Sequence, residues 1–122
     1  MTQANAFPTT ILRPPTHFAP DVFYIPEIHN PAHGTYFPEM NLHDTTKATI
    51  VADIATAQHE DVNRVIAFDV EAGTSWDASK EIASLVLDQV INEHGRVPAW
   101  CVDFLEEQLG VGFVRQCERE AA

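Results

Sequence analysis

Glu27, His29, His33, Glu39 and His43 crowd into one short stretch, and imidazole and carboxylate are the side chains from which a zinc site is built. Zinc needs three or four such ligands converging at about 2 Å, which an irregular loop supplies when its turns gather them. The spacing follows no metal signature. There is no HExxH, and the HxxxH pair of His29 and His33 falls in turn chemistry, where helical spacing does not apply. Surface or turn histidines are the expected role, with metal binding by Glu27, His29, His33 and His43 as the alternative.

Nucleophilic chemistry has Cys101 or Cys117 to draw on, with His94 and Asp103 as partners, but no glycine-framed elbow or familiar cysteine motif marks an activated thiol. Cys101 falls on an apolar helical stripe, so a small buried thiol is expected. The carboxylate pairs Glu60-Asp61, Asp69-Glu71 and Glu106-Glu107 could do acid and base work, yet any acidic chain supplies such pairs by chance. Asp69 stands apart, because it falls near the carboxyl end of a strand and is followed by Gly73-Thr74-Ser75, where a helix amino end would meet an anion. That turn lacks the glycine framework and lysine of a phosphate loop, so a capped helix start is the plainer expectation. Trp76 and Trp100 are expected in the first turns of two helices, packed by their rings; an exposed one beside acidic helix faces would be an anchor for a protein partner.

The elements that must position these residues are read from periodicity. Seven of the eight prolines fall in the first third, so no long helix or central strand is expected there. Val22-Phe23-Tyr24-Ile25 reads as a short edge strand ended by Pro26, and His29 to Gly34 as a turn leading to Thr35-Tyr36-Phe37, a hairpin. The first forty residues hold six of the eleven aromatics, and their beginning, up to about Ala19, is expected to be a polyproline-like arm laid over the domain or over a neighbouring subunit. Asp44 can cap a helix over residues 45–58, with Ile50, Val51 and Ile54 on its apolar side. Residues 62–70 are apolar on both alternating faces and read as the central strand. Glu71-Ala72-Gly73 turns the chain, and Thr74 or Ser75 caps a second helix that stops at His94-Gly95. A third helix opens at Pro98 and ends at Gly110. Residues 111–117 fit a last strand or a short helix, and residues 118–122 are expected to fray.

Composition limits what these elements can serve. With 122 residues, 45% of them hydrophobic and 20% charged, one folded core is expected. The net charge of −11 sets direct nucleic-acid binding against like-charge repulsion. No apolar run approaches the roughly 20 residues of a membrane span, and Met1-Thr2-Gln3-Ala4-Asn5 lacks the basic start of a secretory signal. Two cysteines without CxxC spacing suit a reducing compartment, so a cytoplasmic location is expected.

The stretch from His59-Glu60-Asp61-Val62 to Phe68-Asp69, continued by Glu71-Ala72-Gly73-Thr74-Ser75-Trp76-Asp77 and on to Ala83, resembles a recurrent segment of small uncharacterised bacterial proteins. With the Gly95-Arg96-Val97-Pro98 turn, the likeness spans about a third to a half of the chain. It implies a bacterial or phage-like origin and a helix-strand-helix unit, names no family, and carries over no catalytic or binding residue.

These readings converge on an α+β domain over residues 21–122, about three helices packed on a short sheet, preceded by an extended arm over residues 1–20. The leading expectation is a non-enzymatic protein that needs no cofactor and binds a protein partner with a basic surface through Asp88, Glu93, Asp103, Glu106, Glu107 and Trp100. An accessory or inhibitory factor of a mobile element or phage, its carboxylates imitating a nucleic-acid backbone, would fit that expectation. Two alternatives compete: a metal-binding or small-molecule enzyme using the histidine-rich loop 27–43, and a structural subunit that assembles as a homo-oligomer through the arm.

Overall fold

A computed structural model of the protein describes residues 21–122. The arm expected over residues 1–20 lies outside the described residues. The chain runs β1 (Val22–Asn30), β2 (Gly34–Tyr36), a 3-10 turn (Leu42–Asp44), α1 (Lys47–Ala55), β3 (Val62–Asp69), β4 (Thr74–Asp77), α2 (Ser79–His94), α3 (Val102–Leu109) and α4 (Val111–Ala121). The four strands form one antiparallel sheet in the order β2-β1-β3-β4, and the class is α+β as expected. No described helix is long and apolar enough to cross a membrane.

β1 overturns the expectation of a short edge strand. It runs nine residues, lies between β2 and β3, and carries Pro26 in its interior opposite Val65. The direction of the missing donor explains this. Two residues earlier the Tyr24 amide turns away from β3 to donate to the Thr45 carbonyl at 2.8 Å, and by the alternation of an antiparallel ladder Pro26 faces the same way. The ring therefore removes no bond to β3, and β2 reaches only Ile28 to Asn30 on the other side. The turn from His29 to Gly34 forms as expected, with Asn30 Oδ1 accepting from the Ala32 amide at 2.8 Å and Gly34 at φ +83°.

The second correction concerns residues 74–77. They are β4, paired with Ile66 to Asp69, and not the start of a helix. A tight hairpin closes the pair: Gly73 sits at φ +70°, its amide donates to the Asp69 carbonyl at 2.9 Å, and Asp69 Oδ1 accepts from Ala72 N–H at 3.0 Å. Thr74 and Trp76 suit an extended strand, and pairing with β3 outweighs the capping signal of Thr74 and Ser75. The resembling segment thus holds a strand hairpin ahead of its helix, where a helix-strand-helix unit was implied. The central place of β3 stands, although its neighbours run antiparallel to it.

The helices keep their expected faces but shift at their ends. Thr46, not Asp44, caps α1, its Oγ1 accepting from Thr49 N–H at 3.2 Å, while Asp44 closes the 3-10 turn. α1 stops at Ala55, short of residue 58, because Ala57 enters the left-handed region at φ +67° and the amides of Gln58 and His59 fold back on the Asp53 carbonyl. α2 ends as expected at left-handed Gly95, whose amide donates to Ile91 at 2.8 Å. Pro98 opens a turn, its carbonyl accepting from Cys101 N–H at 3.3 Å, and α3 begins only at Val102.

Residues 111–117 resolve as a helix that continues to Ala121, so the segment expected to fray is ordered. Its far end is tied down, since Glu118 Oε2 accepts from the Val97 amide at 2.8 Å. The helices meet one another, α1 with α2, α2 with α3 and α4, and α3 with α4, while α1, α2 and α3 also meet the sheet. Ile50, Ile54, Ile82, Val86, Val90, Leu105 and Val114 share one buried core with the sheet residues Tyr24, Ile28, Val65 and Ala67.

Candidate functional site

The histidine-rich loop disperses its ligands. The Glu27 side chain is buried on the sheet and gripped by β3. Asn63 Nδ2 donates to Oε1 at 2.7 Å, Arg64 Nε to the same oxygen at 3.0 Å and Nη2 to Oε2 at 3.1 Å. A register shift between Glu27 and Ile28 puts Asn63 and Arg64 together on one carboxylate. The bidentate guanidinium, with Asn63, holds Glu27 below the ordinary carboxylate range. His29 Nδ1 faces Thr35 Oγ1 at 3.1 Å, and His33 and His43 are exposed. Among the described residues no three of His, Cys, Asp and Glu stand close enough to hold a metal ion.

The thiol and the anion readings resolve locally. Cys101 is 1% exposed, its Sγ lies 3.7 Å from the Pro98 carbonyl, and burial raises its pKa to about 11, so it is a core residue and a poor nucleophile at neutral pH. Cys117 is partly buried against the core. The turn after Asp69 joins two strands, so no helix amino end opens there. α2 begins instead at Ser79, whose amide donates to Asp77 Oδ1 at 2.9 Å, and hydrogen bonding from Ser79 keeps Asp77 below its ordinary range.

What the fold does assemble is an open cleft of about 500 Å³ between the start of β3 and the start of α3. Its walls carry His29, Glu60, Asp61, Asn63, Trp100, Asp103 and Phe104. Asp61 adopts a left-handed backbone, φ +58°, one of the few side chains that tolerates it, and its carbonyl accepts from His29 N–H at 3.0 Å. That bond fixes the corner carrying Glu60 and Asp61 against β1. From the opposite side, Trp100 is pinned by Nε1 donating to the Ala55 carbonyl at 3.2 Å, with the His94 ring edge-on at 6.3 Å. The indole is nonetheless 38% exposed. Glu60, Asp61 and Asp103 make no ion pair among the described residues, whereas Glu27, Glu81 and Glu106 pair with Arg64, Lys47 and Arg115. The cleft is therefore a carboxylate-rimmed concavity with an aromatic wall.

Of the six residues expected to meet a partner, Trp100 and Asp103 share this cleft. Asp88 lines a separate groove between α2 and α4, beside Ile91, Cys117 and Glu120. Glu93 accepts from Gln89 Nε2 at 3.3 Å near the end of α2, Glu106 faces Arg115 at 3.8 Å, and Glu107 is exposed on α3. His29, Glu60, Asp61 and Asn63 join the site through the register of β1 with β3, which no local pattern in the sequence reports.

A second concavity, about 510 Å³, is lined by Glu39, Met40, Asn41, Asp44, Asp53 and His59. His59 Nε2 is buried without a hydrogen-bond partner, 3.9 Å from Asp53 Oδ2. Loss of solvent pushes its pKa below the ordinary value, outweighing the pull of Asp53 and Asp44. Burial thus favours the neutral imidazole even beside carboxylates. No protein-family model, curated protein or solved structure matches the chain, in keeping with a resemblance that names no family.

Proposed function

We propose that this protein works by binding another protein, and that the Trp100 cleft receives a basic side chain or short basic segment of that partner. The observation that supports the reading most directly is the convergence of Glu60, Asp61 and Asp103, none in an ion pair among the described residues, around a pinned and partly exposed indole. Guanidinium and ammonium groups gain twice in such a place, from the carboxylates and from the aromatic face, by about 0.5–1 kcal/mol for the latter at an exposed site. A net charge of −11 adds long-range steering toward a basic surface and raises the encounter rate more than the affinity.

The reading favours recognition over chemistry. The described lining of the cleft offers carboxylates, an imidazole and an indole, groups that meet a cation, and the Cys101 thiol beside Trp100 in sequence is buried with its pKa raised. An arginine-rich peptide titrated into a Trp76→Phe chain tests it, because Trp100 is then the sole tryptophan reporter. Binding should change Trp100 emission saturably, weaken as salt rises from 50 to 500 mM (the Debye length shrinks from about 14 to about 4 Å), and fall in Asp103→Asn. An emission change indifferent to both salt and Asp103, or none at all, overturns the proposal.

A further inference from the structure

The sheet has two faces, and the described helices cover one. Val22, Tyr24, Val65 and Ala67 belong to the core cluster or pack against it, while their alternate neighbours Phe23, Ile25, Ile66 and Phe68 do not. Register places Phe23 opposite Phe68 and Ile25 opposite Ile66, so the four side chains form one apolar strip on the far side of the sheet. β4 borders it with Ser75 beside Phe68 and Asp77 beside Ile66, and the Glu27–Arg64 pair closes one end. An apolar strip with a polar rim is the surface a folded chain covers.

We propose that residues 1–20 of the same chain cover this strip. Place supports it: Phe23 is the second residue of β1, and the Asp21 carbonyl accepts from Val70 N–H at 3.2 Å, so the segment joins the domain beside the Phe23–Phe68 pair. Length supports it: crossing four strands takes three spacings of about 4.8 Å, about 14 Å, which about five extended residues span. Composition supports it as well. The segment offers Phe7, Ile11, Leu12 and Phe18, and Pro8, Pro14, Pro15 and Pro20 favour an extended backbone and lessen the entropy lost on docking. It carries Arg13 and no carboxylate, so it meets the Asp77 rim of an acidic molecule without repulsion, whereas two copies meeting face to face would each bring the chain's excess of negative charge. The proposal stands on the sheet and is independent of the Trp100 cleft.

The test uses the full chain with a benzophenone phenylalanine analogue at position 7 or 18, irradiated as an equal mixture of isotopically light and heavy protein and mapped by mass spectrometry. Cross-links should fall within one chain, on peptides that carry Phe23, Ile25, Ile66 or Phe68. Ile66→Thr, or Ile25→Thr where the first misfolds, keeps a β-branched residue in the strand and should lower the yield about tenfold with the circular dichroism spectrum unchanged. Cross-links between light and heavy chains assign the strip to a second copy and overturn the proposal. Cross-links to the helices, or none to the strip, overturn it too.

Discussion

Ser79→Ala should destabilise the domain out of proportion to the size of the change. Ser79 is 1% exposed, and its Oγ accepts from the Val65 amide at 2.8 Å while the Val65 carbonyl accepts from Ala78 N–H at 2.8 Å. β4 has ended at Asp77, so this hydroxyl continues the ladder one residue past the strand and ties β3 to the first turn of α2. Removing it leaves a buried amide with no acceptor, which costs about 1–3 kcal/mol. Alanine returns up to about 0.5 kcal/mol of helix propensity, leaving a net loss of about 0.5–3 kcal/mol. For a domain of this size that lowers Tm by about 2–12 °C. Ser84→Ala on the exposed face of the same helix isolates propensity and should leave Tm unchanged or slightly raised. Thermal unfolding by circular dichroism measures both, and amide exchange at Val65 should quicken by about tenfold or more in the first variant alone. Equal Tm values for the two variants, or unchanged exchange at Val65, would refute the argument.

Glu27→Gln should lower stability at neutral pH and lose that deficit in acid. The folded carboxyl lies below its ordinary value of 4.5, so its contribution is full above 4.5 and disappears as pH falls through the lower folded value. Denaturant midpoints of wild type and variant should therefore converge as pH falls from 4.5 through the lower folded value, and a constant gap would count against the Arg64 and Asn63 grip. His59→Gln concerns a higher window. With the folded imidazole pKa below 6.5, the unfolded chain takes up the proton first, so wild-type stability is full above that value and declines as pH falls below it. The variant should lose that part of the slope between pH 7 and pH 5, and an identical slope would show that His59 is not held neutral.

Much of the fold was legible because its signals are local. The apolar stripe of α2, its stop at Gly95, the β-branched run of β3 and the turn before Gly34 each depend on residues within a few positions of one another. The misread places depend on distant partners. Pro26 ends a strand unless its missing donor faces away from the neighbour, which follows from the position of Thr45 and the short reach of β2. Thr74-Ser75 caps a helix equally well on paper, and only pairing with Phe68 and Asp69 makes it a strand. The ambiguous stretch after Gly110 becomes a helix because Val114 finds the core and Glu118 finds the Val97 amide.

The same distinction governs the candidate site, where the placing of the few cations leaves the carboxylates of the Trp100 cleft without a lysine or arginine among the described residues that line it. Glu81 and Glu106 sit beside Lys47 and Arg115, and Glu27 is consumed by Arg64, so the few cations neutralise particular faces of the domain. The corner at Glu60-Asp61 meets the start of α3 where no lysine or arginine stands among the cleft residues, and Trp100 is held there by a backbone carbonyl from a third element. On the proposed reading, net charge favours a basic partner and the distribution of the counter-charges favours the place where it binds. A single cation introduced at that corner, as in Glu60→Lys, would consequently weaken binding of a basic peptide more than the same change at Glu107, although the two variants carry the same net charge.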